Sequence, residues 1–359
     1  MQTCKKRVSV LLLTLSLLFT ACAAPKTYSR YQFIYIDCLD TVCVIDIYLH
    51  EDQDPDFIKD AIHEELLRYH RLFDAYHSYD GVTNIHTVNE RAGAGPVTVP
   101  QELLSLLIFC LEEGARIDYR TNLAFGRVTR IWKDFFNDVS DGGMEGREFA
   151  SGELSLPPQD ILAAAGMHTD PARILIDTEA SSVSLSDPDM LLDVGAVAKG
   201  YIAEKLSDFI RDLGVESACL NLGGNIKVVG ERKDTDGRRY WTAAVKDPVT
   251  LEPLSVVLKL TDGMTVVTSG NYERYVQIDG TRYCHLIDPD TLYPVQGMAS
   301  VTVVAKDSGL ADYLSTALFT VDVERGQEIL SLYPDAEALW ITSDYEIYRT
   351  EGFDSCLVP

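Results

Sequence analysis

Leu191-Leu192-Asp193-Val194-Gly195-Ala196-Val197-Ala198-Lys199-Gly200-Tyr201 is the stretch from which the rest of the chain can be read. It opens on apolar residues, turns at Gly195 and runs into a helix. Ile202, Leu206, Phe209, Ile210 and Leu213 recur at spacings of three and four, the helical period. Gly214 stands where a left-handed residue ends such a helix. Asp193 therefore falls just before a helix start and Lys199 in its first turn. Free backbone N–H groups and the positive end of the helix dipole gather there and favour an anion such as a phosphate. An ordinary strand-turn-helix, with Asp193 as the cap and Lys199 solvated, fits the same letters. Other segments decide between the two readings.

The chain has 359 residues, enough for one large or two ordinary domains with a sizeable core. Its net charge is −24, from 55 acidic against 31 basic side chains. That balance excludes nucleic-acid binding through a basic face, since phosphate contacts need Lys and Arg. A chain this acidic that handles a phosphorylated ligand is expected to use a divalent cation to offset the like charge.

The first residues read as a targeting segment, residues 1–21. Lys5, Lys6 and Arg7 precede an apolar run from Val8 to Phe19 that is too short for a comfortable membrane span. Thr20-Ala21-Cys22 then offers a small-residue cleavage site, and the whole resembles a bacterial lipoprotein signal with Cys22 acylated. Phe19 stands where such signals usually carry Leu. Cleavage among the neighbouring alanines would instead release a soluble secreted form. The lipid anchor is the favoured reading, with residues 22–30 as a tether, residues 31–359 as one domain, and an extracytoplasmic location on the bacterial cell membrane. Six further cysteines, Cys38, Cys43, Cys110, Cys219, Cys284 and Cys356, permit disulfides but show neither a framework nor a CxxC zinc pattern. Cys110, Cys219 and Cys284 sit in apolar runs and read as buried thiols.

Two alternating strands are expected over 31–37 and 41–49, then a helix opened by Asp54-Pro55 and a second opened by Pro100. The 121–132 segment is less regular, and 138–152 reads as a polar, Gly-rich insertion. A hairpin over 174–176 and 183–185 precedes the opening stretch. Strands are expected over 218–222, 226–229, 241–245, 256–260, 265–268 and 300–305. Asp279-Gly280 joins a hairpin with arms 275–278 and 283–287. Ser308 is expected to cap a helix with Leu310, Leu314 and Leu318 on one stripe, and a last helix near 326–332 precedes two short strands. Helices dominate before residue 135 and strands after 215, so the class is α+β.

Four segments carry chemistry. Beside 193–199 stands Leu222-Gly223-Gly224-Asn225, either a tight turn or a close backbone approach to a ligand. Thr268-Ser269-Gly270-Asn271-Tyr272-Glu273-Arg274 offers a backbone anion nest at Ser269 and Gly270. His285 is expected on the returning arm of the hairpin, near Asp288-Pro289, where it serves either as a packed structural residue or in proton transfer. In Ala311-Asp312-Tyr313-Leu314-Ser315-Thr316, Asp312 and Thr316 are four apart and share a helix face away from the leucines. A carboxylate and a hydroxyl one turn apart suit Mg²⁺, and equally suit a stabilised first turn with a threonine bonded back to a carbonyl.

Taken together, these segments resemble the ApbE family, the FAD:protein FMN transferases. The family patterns DxGxxxKG, LGG, TSGxYxR, HxIDPxT and ADxxST are all present, along with Phe73-Asp74-Ala75-Tyr76, Asn89 and the 126–132 segment. The resemblance implies an α+β, T-fold-like core of mostly antiparallel sheets with flanking helices. It implies Mg²⁺ held by the Ala196 carbonyl, Asp312 and Thr316, with Ser315 as a further oxygen. It implies FAD contacts from Tyr76, Thr121, Asn122, Asp193, Lys199, His285 and Ile287, with Ser269 and Gly270 lining the diphosphate. The implied reaction moves FMN from FAD onto a Thr or Ser hydroxyl of an acceptor flavoprotein and releases AMP, with Lys199, Asp312 and His285 as the catalytic groups. A lipid-anchored FAD-binding or storage module, or an FAD pyrophosphatase, is the alternative. Departures from the family pattern stand at Leu39-Asp40-Thr41 (family Met-Gly-Thr), at Asn122 and Ala124 (family Asp-x-Thr), and at Leu292 (family Gly).

Overall fold

A computed structural model describes residues 27–142, 146–234 and 236–358. The expected signal segment and Cys22 lie outside the described residues. No described helix is long and apolar enough to cross a membrane.

The centre is an eight-stranded sheet ordered Tyr28–Tyr35, Cys43–His50, Ala218–Leu222, Asn225–Val229, Thr265–Gly270, Met298–Ala305, Glu337–Thr342, Ile347–Arg349. Every neighbouring pair runs antiparallel. The first strand begins at Tyr28, so the folded part reaches into the stretch expected as tether. All eight residues of Met298–Ala305 are buried, because both faces of the sheet are covered there.

One face carries the main core. Ile45, Ile47 and Leu49 from the sheet meet Ile62 and Leu66 of helix Pro55–Phe73, Ile202 and Leu206 of helix Ala198–Asp212, and Leu314 and Leu318 of helix Ser308–Phe319. Removing a few such aliphatic side chains from water contributes about 1.5–3 kcal/mol each. The opposite face is covered by the hairpin Trp241–Lys246/Pro253–Leu260, with Trp241 against Tyr48. A third cluster holds Val128, Trp132 and Phe136 of helix Gly126–Asp141, Leu162 of helix Gln159–Gly166, and Val276 of hairpin Tyr275–Ile278/Thr281–Cys284.

Local chemistry sets the helix ends. The Asp54 side chain accepts from the N–H groups of Asp56 and Phe57, and Pro55 takes the first helical position. Gly214 has φ +78° and closes helix Ala198–Asp212. Several expectations need correction. Residues 126–132 of the segment read as irregular and 138–141 of the expected insertion belong to one helix, Gly126–Asp141, while 121–125 are irregular as expected. Val128, Ile131, Trp132, Phe135, Phe136 and Val139 keep the helical period on one face and dock on a satellite cluster, with six charged residues on the other face. Helix Gln159–Gly166 was not expected. Asp307, not Ser308, caps helix Ser308–Phe319, accepting from the Leu310 N–H at 2.8 Å. Phe57, in the first turn of helix Pro55–Phe73, is 63% exposed.

Candidate functional site

Helices Ala198–Asp212 and Ser308–Phe319 cross with almost no space between them at Gly200. A Cβ there would lie 2.2 Å from the Ser308 carbonyl oxygen and 2.4 Å from Asp312 Cβ. The Gly200 N–H donates to Asp312 Oδ2 at 2.8 Å. One turn further along, Thr316 Oγ1 reaches the Ala196 carbonyl at 3.5 Å. The expected oxygen set of Ala196, Asp312 and Thr316 is therefore one cluster, although 112 residues separate Gly200 from Asp312.

Asp312 is 3% exposed. Burial raises its pKa, opposed by the Lys199 ammonium, the Gly200 N–H and the Asn225 side-chain amide. Asn225 Nδ2 is itself buried and completes no hydrogen bond of normal geometry. The carboxylate thus has Oδ2 on the Gly200 N–H, with the Asn225 amide and the Lys199 ammonium beside it. Ser315 turns elsewhere. Its hydroxyl bonds Ser269 Oγ at 2.8 Å and the Asp312 carbonyl at 3.0 Å, so it ties the end of strand Thr265–Gly270 to the helix.

The stretch before the helix is held by the Asn89 side chain and by single backbone hydrogen bonds. Asn89 clasps Leu192 from both sides, accepting its N–H at 2.7 Å and donating to its carbonyl at 3.0 Å. The Asp193 N–H donates to the Leu123 carbonyl at 2.8 Å. Asp193 does not cap the helix, which starts at Ala198. Its Oδ1 accepts the Gly195 N–H at 2.7 Å, and its Oδ2 accepts from Tyr76 Oη at 2.7 Å and Thr129 Oγ1 at 3.1 Å. Burial and then Asp193 itself push the Tyr76 hydroxyl well above its ordinary pKa, so it stays a donor. The Tyr76 ring carries Lys133 Nζ 3.4 Å from its centroid and the Arg130 guanidinium 5.2 Å away.

Lys199 acts on both sides of the site, lowering the pKa of His285 as well as that of Asp312. His285 follows the end of strand Thr281–Cys284 instead of lying within an arm reaching 287, and its N–H donates to the Arg274 carbonyl at 3.1 Å. Its side chain is open to solvent but lies deep among surrounding atoms. That crowding, then Lys199 and Arg274, push its pKa down to about 4. The ring is neutral at pH 7 and free to accept a proton.

Other expected residues are placed differently. Asp288 does not face His285. It caps its own turn through Asp290 and Thr291 and lies 3.8 Å from Arg120. Ser269 and Gly270 are not a nest, because the strand continues through both, pairing them with Val301 and Ser300. Gly270 is needed there because a Cβ would meet the Tyr272 ring at 2.4 Å. Thr121 exchanges hydrogen bonds with Tyr313, Oγ1 to carbonyl at 3.0 Å and Tyr313 Oη to the Thr121 carbonyl at 2.5 Å. The Asn122 side chain is taken up by Thr169 and Ala124. Ile287 belongs to the third core cluster.

Thr129, Arg130 and Lys133 were missed by sequence reasoning. They fall on the 126–129–130–133 face of a helix whose apolar period, Val128, Ile131, Trp132, Phe135, Phe136 and Val139, was the signal that could have found them. A cavity of about 560 Å³ adjoins that helix, lined by Arg127, Arg130, Ile131, Ile161 and His168. None of the expected residues lines it. Among the described residues, His168, Asp187 and Asp189 are the one grouping of three His, Cys, Asp or Glu within metal-binding reach of one another. It lies beside this cavity, with Arg127 already 3.3 Å from Asp189.

An oxygen cluster between two helices and a lysine at a helix mouth, set on an α+β fold, suit an anionic ligand. Comparison with known proteins makes that reading specific. The ApbE family profile matches residues 39–340. A FAD:protein FMN transferase of Klebsiella pneumoniae is 33% identical over 303 residues, 82% of this chain and 87% of that one. Its namesake in Treponema pallidum is 31% identical over 277 residues, 74% and 72% of the two chains. The crystal structure of an ApbE protein from Thermotoga maritima covers 92% of this chain and 100% of its own, with 26% identity and a TM-score of 0.77. The chain belongs to the ApbE family.

Proposed function

We propose that the protein is a Mg²⁺-dependent FAD:protein FMN transferase, held outside the cytoplasm by a lipid on Cys22. As a member of the ApbE family it is a flavin transferase, with FAD as substrate and a flavoprotein as acceptor. The metal dependence, the residue roles and the anchor are our reading. The single observation that carries the site is the meeting of the Ala196 carbonyl, Asp312 and Thr316 beside Lys199.

The donor set fits a hard cation. It is all oxygen: a buried carboxylate, a backbone carbonyl and a hydroxyl on two touching helices. Ala196, Asp312 and Thr316 would hold Mg²⁺, while Ser315 keeps Ser269 in place. Bound there, Mg²⁺ supplies Lewis-acid neutralisation of phosphate charge.

The chain's own residues supply the rest. The helix start at 196–199 and the Lys199 ammonium receive the FAD diphosphate, and Lys199 offsets charge that grows on its oxygens. Asp193, fixed by Tyr76, Thr129 and Gly195, shapes the wall where the dinucleotide turns. A Thr or Ser hydroxyl of the acceptor attacks the phosphorus on the FMN side. The new P–O bond forms as the bond to AMP breaks. His285, neutral at pH 7, accepts the hydroxyl proton.

The test is incubation with FAD, Mg²⁺ and a candidate acceptor, with mass spectrometry for an FMN-sized addition and chromatography for AMP. Asp312→Ala is expected to abolish transfer. Unchanged transfer in that variant sinks the metal assignment. FAD binding without AMP points to a storage module, and AMP without acceptor labelling to a pyrophosphatase.

A further inference from the structure

We propose that Cys38 and Cys43 are a redox pair that closes as a disulfide and fastens the loop between them onto the Gly223-Gly224 turn. The two sulfurs lie 3.9 Å apart, and the residues are 2% and 0% exposed, in the same core cluster. Cys43 opens the second strand, paired with Tyr35 on one side and Leu222 on the other. Cys38 lies in the turn that leads to it.

The loop is held at several points. The Leu39 N–H donates to His70 Nδ1 at 3.2 Å, and the Gly223 N–H donates to the Val42 carbonyl at 3.3 Å. Thr41 packs so closely on Gly223 that a Cβ there would lie 2.3 Å from Thr41 Oγ1. Leu39 and Asp40 both have positive φ, 58° and 51°. A covalent clasp across the loop would hold this strained conformation in register with the glycine turn.

Two buried thiols in contact could instead serve a metal. A thiolate centre needs more ligands, and among the described residues no third His, Cys, Asp or Glu donor closes on this pair. The contact lowers the Cys38 thiol's pKa, which favours Cys38 as the attacking sulfur. Its thiolate attacks the disulfide of an external oxidant such as oxidised glutathione and expels one thiol. The Cys43 thiolate then displaces the second. One S–S bond forms in the protein, two protons leave, and two electrons reduce the oxidant to two thiols.

The inference needs no flavin and stands whatever becomes of the proposed activity. Purified full-length protein is equilibrated with graded mixtures of reduced and oxidised glutathione in urea below its unfolding transition. It is then acid-quenched, unfolded, alkylated and peptide-mapped. The expected result is a Cys38–Cys43 linked peptide 2 Da lighter than the reduced pair, with Cys110, Cys219, Cys284 and Cys356 alkylated. The oxidised form should melt about 3–6 °C higher, since a short closed loop restricts the unfolded chain. Dithiothreitol should reverse that shift, and Cys38→Ser/Cys43→Ser should abolish it. Alkylation of Cys38 and Cys43 at every glutathione ratio overturns the proposal. So does an identical dithiothreitol effect on the wild type and the double variant.

Discussion

Gly200 and Asp312 share one hydrogen bond and no free space: the glycine N–H donates to Oδ2 at 2.8 Å, and a methyl group on Gly200 would lie 2.4 Å from Asp312 Cβ. The glycine lets two helices approach until its N–H holds a buried carboxylate that Lys199 and the Asn225 amide also face. Gly200→Ala must part the helices or twist Asp312 away from Ala196. The expected cost is about 1–3 kcal/mol of stability from overpacking, together with a loss of FMN transfer larger than any loss of FAD affinity. Urea unfolding and acceptor labelling check the two separately.

Tyr76→Phe removes one of the three donors on Asp193 and leaves the ring under Lys133 and Arg130. An unmade hydrogen bond to a carboxylate costs about 1–2 kcal/mol. On the proposed reading that appears as a rise of roughly 5–30-fold in the KM for FAD, by the usual tenfold per 1.4 kcal/mol. Lys133→Ala should change KM in the same direction and also weaken the salt dependence of binding. An unaltered KM in both variants would separate this wall from the FAD site.

His285 gives a pH dependence with a definite sign. In the unfolded chain it takes a proton near pH 6.5, in the folded chain only near pH 4. Between those values the unfolded state binds more protons, so His285 contributes stability above pH 6.5 that is lost as pH falls toward 4. Solvent access to the ring screens and shrinks the effect. Denaturant midpoints at pH 7.5 and pH 5 should differ less in His285→Gln than in the wild type. A wild-type midpoint that rises on acidification refutes the assignment.

Lys227 is 3% exposed, with Nζ on Glu204 at 2.9 Å and on the carbonyls of Gly263 and Lys306. Glu204 also accepts the Ser308 N–H at 2.8 Å, which sets how helix Ser308–Phe319 starts against helix Ala198–Asp212. Lys227→Met leaves that carboxylate unpaired and should cost about 2–4 kcal/mol. Thermal unfolding measures it, and Glu204→Gln in the same chain should recover part of the loss.

Asp40 and Leu292 occupy positions where the ApbE pattern has glycine, and both keep positive φ, 51° and 64°. Asp40 is exposed, so Asp40→Gly should stabilise the fold by about 0.5–1 kcal/mol by relieving left-handed strain. Leu292 packs on Gly166 and in the third cluster, so Leu292→Gly should destabilise instead. Opposite signs in the two melting curves are the check.

Much of this was legible before any coordinates. Periodicity placed the helices opened by Asp54-Pro55 and Pro100, and the Asp279-Gly280 hairpin, because their stripes and turn residues are local. The helix Gly126–Asp141 was overlooked although Val128, Ile131, Trp132, Phe135, Phe136 and Val139 keep the helical period; what no local period records is the satellite cluster of distant segments on which that face docks. Thr129 and Lys133 went unseen with it. His285 and Asp288 looked like partners because they are near in sequence, yet the turn at Asp288 caps itself and faces Arg120.

By itself the sequence determined the α+β class, the family, and which side chains are candidates, because residue types at fixed local spacings dictate helix faces, turns and caps. It could say that Asp312 and Thr316 share a face. Only the tertiary structure decided that this face meets the Ala196 carbonyl, that Ser315 serves Ser269, and that Thr121 and Asn122 are spent on internal hydrogen bonds. The physical reason is that a side chain's free valences are set by what packs around it. That packing comes from strands and helices more than a hundred residues apart, which no local pattern records.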